Sequence, residues 1–361
     1  MAKNYTKQDM VRILKSDIEI PEVVELQMQK TFDEIKECSK QTKKRKRSLR
    51  WQAAAAIMGI MVIGTVSVGA AGFFLWHPDV AEKFEANEVQ QQELEIKKVT
   101  VPTPQEASCT DNGVTISLEQ SLMTEKYMYL YFKITAPEEM KLSEYTFFRN
   151  TELRLNGEPL DASYCGGLPD FSEDGTDNVT YWEYFVELQE KTDVNGKQMT
   201  AHFETMEESD KADVGPIIAE GKWDVTWTLD YQPSEQVFAI NQPIEKENIT
   251  VKDVTISPIS IEVAYDWARK EVERIIIDEN GNEEKGSELA EPVIYAAQYR
   301  MKNGTVEDIS CGGMGSAGYV SADEDTYVVS FGCDKVYTVE DIESIIFMNS
   351  ETEAAYEFKL Q

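Results

Sequence analysis

Histidine, the side chain most often used for acid–base catalysis, is scarce in this 361-residue chain. It has two histidines, His77 and His202, and neither lies in a context typical of a catalytic triad. One acidic stretch resembles the start of a calcium-binding loop: Asp170, Ser172, Asp174 and Gly175. Its twelfth position is Tyr181, where calcium needs a bidentate Glu, so we interpret the stretch as an acidic surface loop.

A glycine-rich segment runs from Cys311 to Tyr319. A phosphate-binding loop would require a following Lys-Ser/Thr and a strand-to-helix context, and this segment lies between β-type patterns. It therefore predicts a flexible loop or a β-bulge. Acidic residues that could flank a sugar are equally typical of an acidic surface. We expect no catalytic residue, no metal site and no cofactor, and we expect that the protein is not an enzyme.

Four of the five cysteines lie beyond residue 100: Cys109, Cys165, Cys311 and Cys333. Such an even number suits an oxidising compartment. If disulfides form, we expect Cys109 to pair with Cys165 and Cys311 with Cys333, because each pair then stays within one predicted domain. Free thiols, as in many surface proteins of Gram-positive bacteria, are the alternative.

Charge is distributed very unevenly along the chain. Residues 1–52 carry a net charge of +5, residues 53–76 carry no charged side chain, and residues 77–361 carry −36, which gives −31 overall. A balance this acidic disfavours nucleic acid as a partner, because the phosphate backbone would be repelled. The three regions indicate three different environments.

The uncharged region predicts a transmembrane helix at 51–76. The 23 residues from Ala53 to Leu75 would span about 35 Å as a helix, enough for a hydrocarbon core. Trp51 and Trp76 bracket this run, as aromatic residues do at membrane interfaces. A cleaved signal peptide and a buried soluble helix are the alternatives; both normally have shorter apolar runs.

Basic residues just before the span set its expected orientation: Lys43, Lys44, Arg45, Lys46, Arg47 and Arg50. Because positive residues remain in the cytoplasm, we expect a cytoplasmic N-terminus and an extracellular C-terminus, in a single-pass protein of the cell membrane.

The head, residues 1–50, is predicted to contain short amphipathic helices. Val24, Met28, Phe32 and Ile35 fall on one apolar face of a helix that begins near Pro21. So short a segment buries little surface by itself, so this stripe either packs within a small hairpin that anchors the span or binds a partner. A zinc-type head is excluded, because Cys38 is the only cysteine before His77.

Beyond the span, residues 77–104 predict a juxtamembrane helix, DVAEKFEANEVQQQELEIKK, followed by a stiff linker at VPTPQ. Apolar residues then alternate with polar ones, most clearly in Trp223, Val225, Trp227 and Leu229. Five Asn-Gly pairs suit hairpin turns. The fold class is therefore mainly β, with antiparallel β-sandwiches at 105–240 and 245–361.

The basic run, the Ala-rich span, HPDVAEKFEA and CTDNGVTISLEQSLMTEKYMYLYFKI together resemble the bacterial domain-of-unknown-function family 4179, over about residues 20–140. GKWDVTWTLDY followed by ITVKDVTISPISIEV resembles the immunoglobulin-like C-terminal domain that often accompanies it. The resemblance implies a single-pass protein with its N-terminus inside. Members often lie beside extracytoplasmic-function sigma factors and are commonly described as anti-sigma factors.

Two hypotheses follow. In the first, the protein is a membrane signalling regulator whose head binds a sigma factor while its outer domains sense an envelope cue through an unknown ligand. In the second, it is an envelope-anchored extracellular binding or structural protein that has no sigma-factor partner. A sigma-factor gene beside this one would favour the first hypothesis.

Overall fold

The part of the chain that the structure describes contains two short α-helices, a 3-10 helix at Val339–Asp341 and twenty strands. The computed structural model describes residues 76–101, 103–104, 106–143, 145–169, 178–189, 194–210, 213–277, 283–321 and 323–360. The predicted head, the basic run and the predicted span up to residue 75 lie outside these ranges, as does the calcium-like stretch at 170–175. Within the described ranges, no helix is long and apolar enough to cross a membrane.

The helical region just after residue 76 consists of two helices, α1 at Pro78–Lys83 and α2 at Glu88–Ile96. The prediction of one continuous juxtamembrane helix is therefore wrong. The backbone leaves the helical conformation at Glu85, where φ is +46°. Asn87 then caps α2 with a capping box, accepting hydrogen bonds from the backbone N–H groups of Val89 and Gln90.

The first β half contains nine strands in two antiparallel sheets, ordered β1-β2-β3-β7-β6 and β5-β4-β8-β9. The strands are β1 Ser108–Asp111, β2 Val114–Met123, β3 Tyr127–Thr135, β4 Thr146–Leu155, β5 Glu158–Pro159, β6 Ala162–Gly167, β7 Val179–Leu188, β8 Gln198–Asp210 and β9 Asp213–Thr228. One hydrophobic core joins the two sheets, and its rings interdigitate: Phe132 lies 5.4 Å from Phe203 between ring centroids.

The second β half follows the same plan, with main sheets ordered β10-β11-β12-β18-β17 and β16-β15-β19-β20 and a separate β13-β14 hairpin. The strands are β10 Gln236–Ile244, β11 Ile249–Ser257, β12 Ser260–Asp266, β13 Glu271–Ile277, β14 Glu283–Leu289, β15 Ile294–Met301, β16 Val306–Asp308, β17 Cys311–Tyr319, β18 Thr326–Cys333, β19 Ile342–Asn349 and β20 Ala355–Lys359. A second core joins the main sheets, with Tyr265 packed edge-on against Phe347.

The mainly β, antiparallel fold class is confirmed. The predicted boundary at 240–245 is displaced, because β10 crosses it and pairs with β11 of the second half. Two Asn-Gly predictions are confirmed as two-residue hairpins. At Asn112-Gly113, between β1 and β2, φ is +48° and +82°; at Asn156-Gly157, between β4 and β5, φ is +52° and +88°. Positive φ at both positions is the requirement that made Asn-Gly a turn signal.

Candidate functional site at the junction of the helices and the β halves

The two helices and the strand ends around them form a third hydrophobic cluster, which we call the junction. Its buried members are Trp76, Val80, Phe84, Ala86, Leu94, Val99, Leu122, Tyr129, Tyr131, Ile259 and Val336. The first six come from the helices and the residues that flank them. The remaining five come from β2 and β3 of the first half and from turns of the second half. The helices therefore pack against both β halves.

The junction explains why β3 is buried on both faces. Its core-facing residues alternate with Tyr129 and Tyr131, which lie on the opposite face of the strand. Both tyrosines are nevertheless 2% exposed or less, because α1 covers that face of the sheet. Phe84 of the α1 C-terminus packs edge-on against Tyr129 with 5.0 Å between ring centroids. The sequence signal for this covered face is the pair Tyr129 and Tyr131, because large aromatic side chains at alternate positions favour burial of the face that carries them.

Hydrogen bonds fix the N-terminus of α1 to the first half. The His77 side chain caps the helix by accepting from the Asp79 backbone N–H, and Pro78 suits the first turn. The His77 backbone N–H donates to Oε1 of the buried Gln120 at 2.6 Å. The Tyr131 hydroxyl donates to Asp79 Oδ2 at 2.8 Å. The start of this helix therefore has a fixed position on the sheet.

An ion pair between α1 and β7 reinforces this contact. Lys83 Nζ lies 3.1 Å from both carboxylate oxygens of Glu183, and the Tyr129 hydroxyl donates to Glu183 Oε2 at 2.7 Å. Burial, with the neighbouring Glu183 carboxylate, raises the pKa of the Tyr129 phenol far above its ordinary range. The phenol thus remains a neutral hydrogen-bond donor at any physiological pH.

Other contacts tie the same helices to the second half. The Val336 backbone N–H donates to the Phe84 carbonyl at 2.9 Å, and the Gln90 side-chain amide donates to the Val336 carbonyl at 3.0 Å. Nζ of Lys97, at the end of α2, lies 2.8 Å from Glu340 Oε2.

The chain after α2 is held against the first half. The Met123 backbone N–H donates to the Val99 carbonyl at 2.7 Å. Within the predicted linker itself, the Thr103 hydroxyl donates to the Glu119 carbonyl at 2.9 Å, so the linker is also held against the first half.

The two β halves also meet directly, through a polar cluster around Lys126, at the turn before β3. Lys126 Nζ lies 3.3 Å from Glu187, 2.9 Å from Glu262 and 2.9 Å from the Ser330 hydroxyl. The hydroxyls of Ser316 and Ser330 each donate to Glu187 Oε1 at 2.6 Å. Lys126 and Glu187 belong to the first half and the others to the second, so this cluster fastens the halves together.

Glu187 stays ionised although it is almost completely buried. Burial by itself would raise the pKa of this carboxyl, but the two serine hydroxyls and the Lys126 ammonium favour the charged form more strongly. The net result is a pKa below the ordinary glutamate value. A buried carboxylate with its partners in place is costly to expose or to leave unpaired. The cluster can therefore hold the halves in one arrangement.

The structure places some predicted site residues differently from the sequence analysis. Trp76 is 5% exposed and packs within the junction, so its ring contacts protein where we expected a membrane interface. Cys109 lies on β1 and Cys165 on β6, the opposite edges of one five-stranded sheet. Four inter-strand spacings separate those edges, about 19 Å, so their predicted pairing does not fit this fold.

Cys311 and Cys333 are brought together, as partners on the adjacent strands β17 and β18. The glycine-rich segment that begins at Cys311 forms an edge strand, so the loop alternative is wrong. Its register with β18 shifts between Cys311 and Gly315, where a bulge was the other alternative. The stripe at Val24, Met28, Phe32 and Ile35 and the residues at Trp51 and before it lie outside the described ranges. Among the described residues, no cluster of His, Cys, Asp and Glu is arranged to hold a metal ion.

Comparison with solved structures finds distant resemblances, of which one is to a bacterial protein. The crystal structure of a conserved domain protein from Bacillus anthracis is similar to this chain with a TM-score of 0.38 and 12% sequence identity, over 72% of this chain and 86% of that chain. No protein-family model matches the sequence, and no curated protein matches it. We therefore argue function from the residues of this chain.

Proposed function

We propose that the protein is a single-pass regulator of the cell membrane, an anti-sigma factor whose cytoplasmic head binds an extracytoplasmic-function sigma factor. Residues 51–75 would form the span, and residues 76–361 would lie outside the cell. The uneven charge, the basic run at 43–50 and the resemblance to domain-of-unknown-function family 4179 support this proposal. So does the arrangement of each β half as two antiparallel sheets around one core, which suits an immunoglobulin-like sandwich.

The junction is the observation that carries the signalling part of the proposal. Trp76 ends the uncharged segment, and α1 and α2 follow it directly. These helices contact both β halves through the same few residues, notably Phe84 and Val336. A cue that changes how the halves pack would therefore act on the segment next to the span. Interfaces of this kind switch between discrete packings rather than deform continuously.

The head would bind its sigma factor through the apolar stripe Val24, Met28, Phe32 and Ile35, as an amphipathic helix binds in a groove. The test is co-purification of the sigma factor with the full-length protein from native membranes. The double variant Met28→Asp/Phe32→Asp places two charges in the proposed interface and is expected to cost several kcal/mol, roughly a thousandfold in affinity. The control Gln27→Asp/Gln29→Asp adds the same charges off the stripe.

We expect wild type and the control to retain the sigma factor and the stripe variant to lose it. Equal retention by all three proteins would contradict the role of the stripe. If the wild-type protein retains no sigma factor, the anti-sigma proposal falls. The second hypothesis, an anchored extracellular binding or structural protein, then takes its place.

The proposed topology has its own test. Protease added to intact protoplasts is expected to remove residues 76–361 and to leave the head protected, because the basic run holds the N-terminus inside. Protection of the β halves in intact protoplasts, with digestion only after lysis, would contradict the orientation.

A further inference from the structure

The edge strand β17 carries the one cysteine pair that the described residues bring together. β17 lies at one edge of the sheet β10-β11-β12-β18-β17, and its first residue, Cys311, is the direct partner of Cys333 at the end of β18. Both cysteines are free thiols, Cys311 exposed and Cys333 buried. One thiol of the pair is thus open to reagents in solution, and the other is shielded from them.

The register places the Cα atoms of the two cysteines at a separation that a disulfide can span. Residues directly opposite each other in an antiparallel pair have Cα atoms about 4.5–5.5 Å apart, whichever type of pair they form. A disulfide accepts Cα separations of roughly 4.4–6.8 Å. Opposed residues also point to the same side of a sheet. Consistent with this, both thiols add to the effect of burial in raising the pKa of the same phenol, that of the fully buried Tyr299.

The start of β17 is weakly held without a covalent bond. Between Cys311 and Gly315 the register with β18 is irregular, and regular pairing resumes only at Gly315. The next residue, Ser316, reaches out of the second half and donates to Glu187 of the first half. A glycine-rich strand with a broken register at a sheet edge is prone to slip or detach. Loss of β17 would also remove one donor from the Lys126 cluster.

We propose that Cys311 and Cys333 form a thiol–disulfide switch that controls whether edge strand β17, and with it the Ser316 contact to the first β half, is held in place. The inference does not depend on the sigma factor or on the head. It concerns only the fastening of the two β halves to each other. In the disulfide state, β17 is fixed to β18 at its first residue as well as by the regular pairing from Gly315 onward. In the dithiol state, residues 311–314 can separate from β18.

The chemistry is thiol–disulfide exchange with a small-molecule disulfide such as oxidised glutathione. The Cys311 thiolate attacks one glutathione sulfur and releases the other glutathione as a thiolate. The Cys333 thiolate then attacks Cys311 Sγ, forms the protein disulfide and releases the second glutathione. Two protein thiols are oxidised, one glutathione disulfide is reduced to two thiols, and the two protons pass to the released glutathione.

Rates should rise with pH, since only thiolates react. Burial, followed by the nearby Asp334 carboxylate, raises the pKa of the Cys311 thiol, and burial raises that of Cys333 well above its ordinary value. Exchange near neutral pH is therefore slow unless an oxidoreductase accelerates it. Because the exchange is slow, the dithiol and disulfide states would each persist after a change in redox conditions.

The test uses the full-length protein equilibrated with reduced or oxidised glutathione, then alkylated, digested and mapped. We expect a peptide linking Cys311 to Cys333 under oxidising conditions, while Cys109 and Cys165 remain singly alkylated or glutathionylated. Hydrogen exchange of the β17 amides should slow by about a hundredfold on oxidation, the effect expected when a disulfide closes a loop of this length.

Two variants make the result specific. Cys311→Ser should abolish the redox dependence of β17 exchange, whereas Cys165→Ser, which removes an exposed thiol from another edge strand, should retain it. The proposal is overturned if both thiols stay free in oxidised glutathione or if Cys311 stops at the mixed disulfide. It is equally overturned if the bond forms and β17 exchange does not change.

Discussion

Replacement of Lys126 by Met should destabilise the β body far more than loss of a surface ion pair. Lys126→Met keeps most of the apolar stem but removes the ammonium that lies between Glu187 and Glu262. The Lys126 side chain is 15% exposed and Glu187 is 3% exposed, so water cannot replace the lost charge. Removing one partner of a buried ion pair costs about 3–5 kcal/mol. We expect the lower end, about 3 kcal/mol, because the Ser316 and Ser330 hydroxyls still donate to Glu187.

The matched control is Lys98→Met. Lys98 pairs with Asp230 at 2.9 Å, but these side chains are 41% and 58% exposed. Such exposed pairs contribute about 0–1 kcal/mol. A second variant, Lys126→Met/Glu187→Gln, removes the unpaired charge as well and should recover part of the loss, since the two residues are in contact.

The assay is urea unfolding of a fragment comprising residues 74–361, followed by tryptophan fluorescence. Urea is preferred over guanidinium because it does not screen ion pairs. We expect the free energy of unfolding to decrease in the order wild type, Lys98→Met, Lys126→Met/Glu187→Gln, Lys126→Met. If Lys126→Met loses no more than Lys98→Met, the cluster does not fasten the halves and the reasoning is refuted.

Three further predictions concern the same body. The pKa of Glu187 is lower in the folded state than the ordinary value of 4.5, so the stabilisation from this carboxylate is complete above pH 4.5 and is lost as the pH falls below that value. Urea midpoints measured downward from pH 7 should show this loss, and the Glu187→Gln variant should show a smaller pH dependence. An unchanged pH dependence in the variant would contradict the prediction. Phe84→Ala leaves a cavity at a fully buried position in the junction and should lower the unfolding free energy by about 3–5 kcal/mol. Val89→Ala, on the exposed face of α2, should change the unfolding free energy by less than about 0.5 kcal/mol. Equal effects would show that α1 is not part of the folded core. Gly157→Ala should lower the unfolding free energy by about 1–2 kcal/mol, because φ at this position is +88°. Gly167→Ala should leave the unfolding free energy nearly unchanged, since an added Cβ there also meets open space but φ is not positive. Equal effects of the two substitutions would contradict the backbone explanation.

The strands of this fold were largely predictable, and its junction was not. Alternation with period two identified the end of β9, from Trp223 to Thr228, because this stretch has one face in a core and one toward solvent. Asn112-Gly113 and Asn156-Gly157 marked hairpins because the turn itself demands positive φ. Both signals are local, so the sequence carries them without knowledge of the tertiary structure.

The junction depends on contacts that no local pattern shows. Gln90 and Val336 are 246 positions apart in the chain, and nothing near either residue indicates the other. The break between α1 and α2 was missed because DVAEKFEANEVQ is compatible with one helix; the Asn87 and Gln90 side chains, which form the capping box, were the signal available for it. The predicted domain boundary at 240–245 falls inside β10 for a similar reason. The residues at 241–247 are mostly polar and suggested the end of a domain, but β10 continues through part of this stretch after a bulge between Ala239 and Gln242.

The proposed link between the outer body and the head is tested most directly by one comparison in native membranes. The measurement is the amount of sigma factor that co-purifies with the full-length protein, wild type against Phe84→Ala, with Val89→Ala as the control for expression and handling. Phe84 contacts both β halves and lies outside the head, so we expect its substitution to change sigma-factor retention while Val89→Ala leaves it at the wild-type level. Retention that is identical in all three proteins, or absent from all three, would contradict the proposal that the junction transmits the state of the β halves to a bound sigma factor.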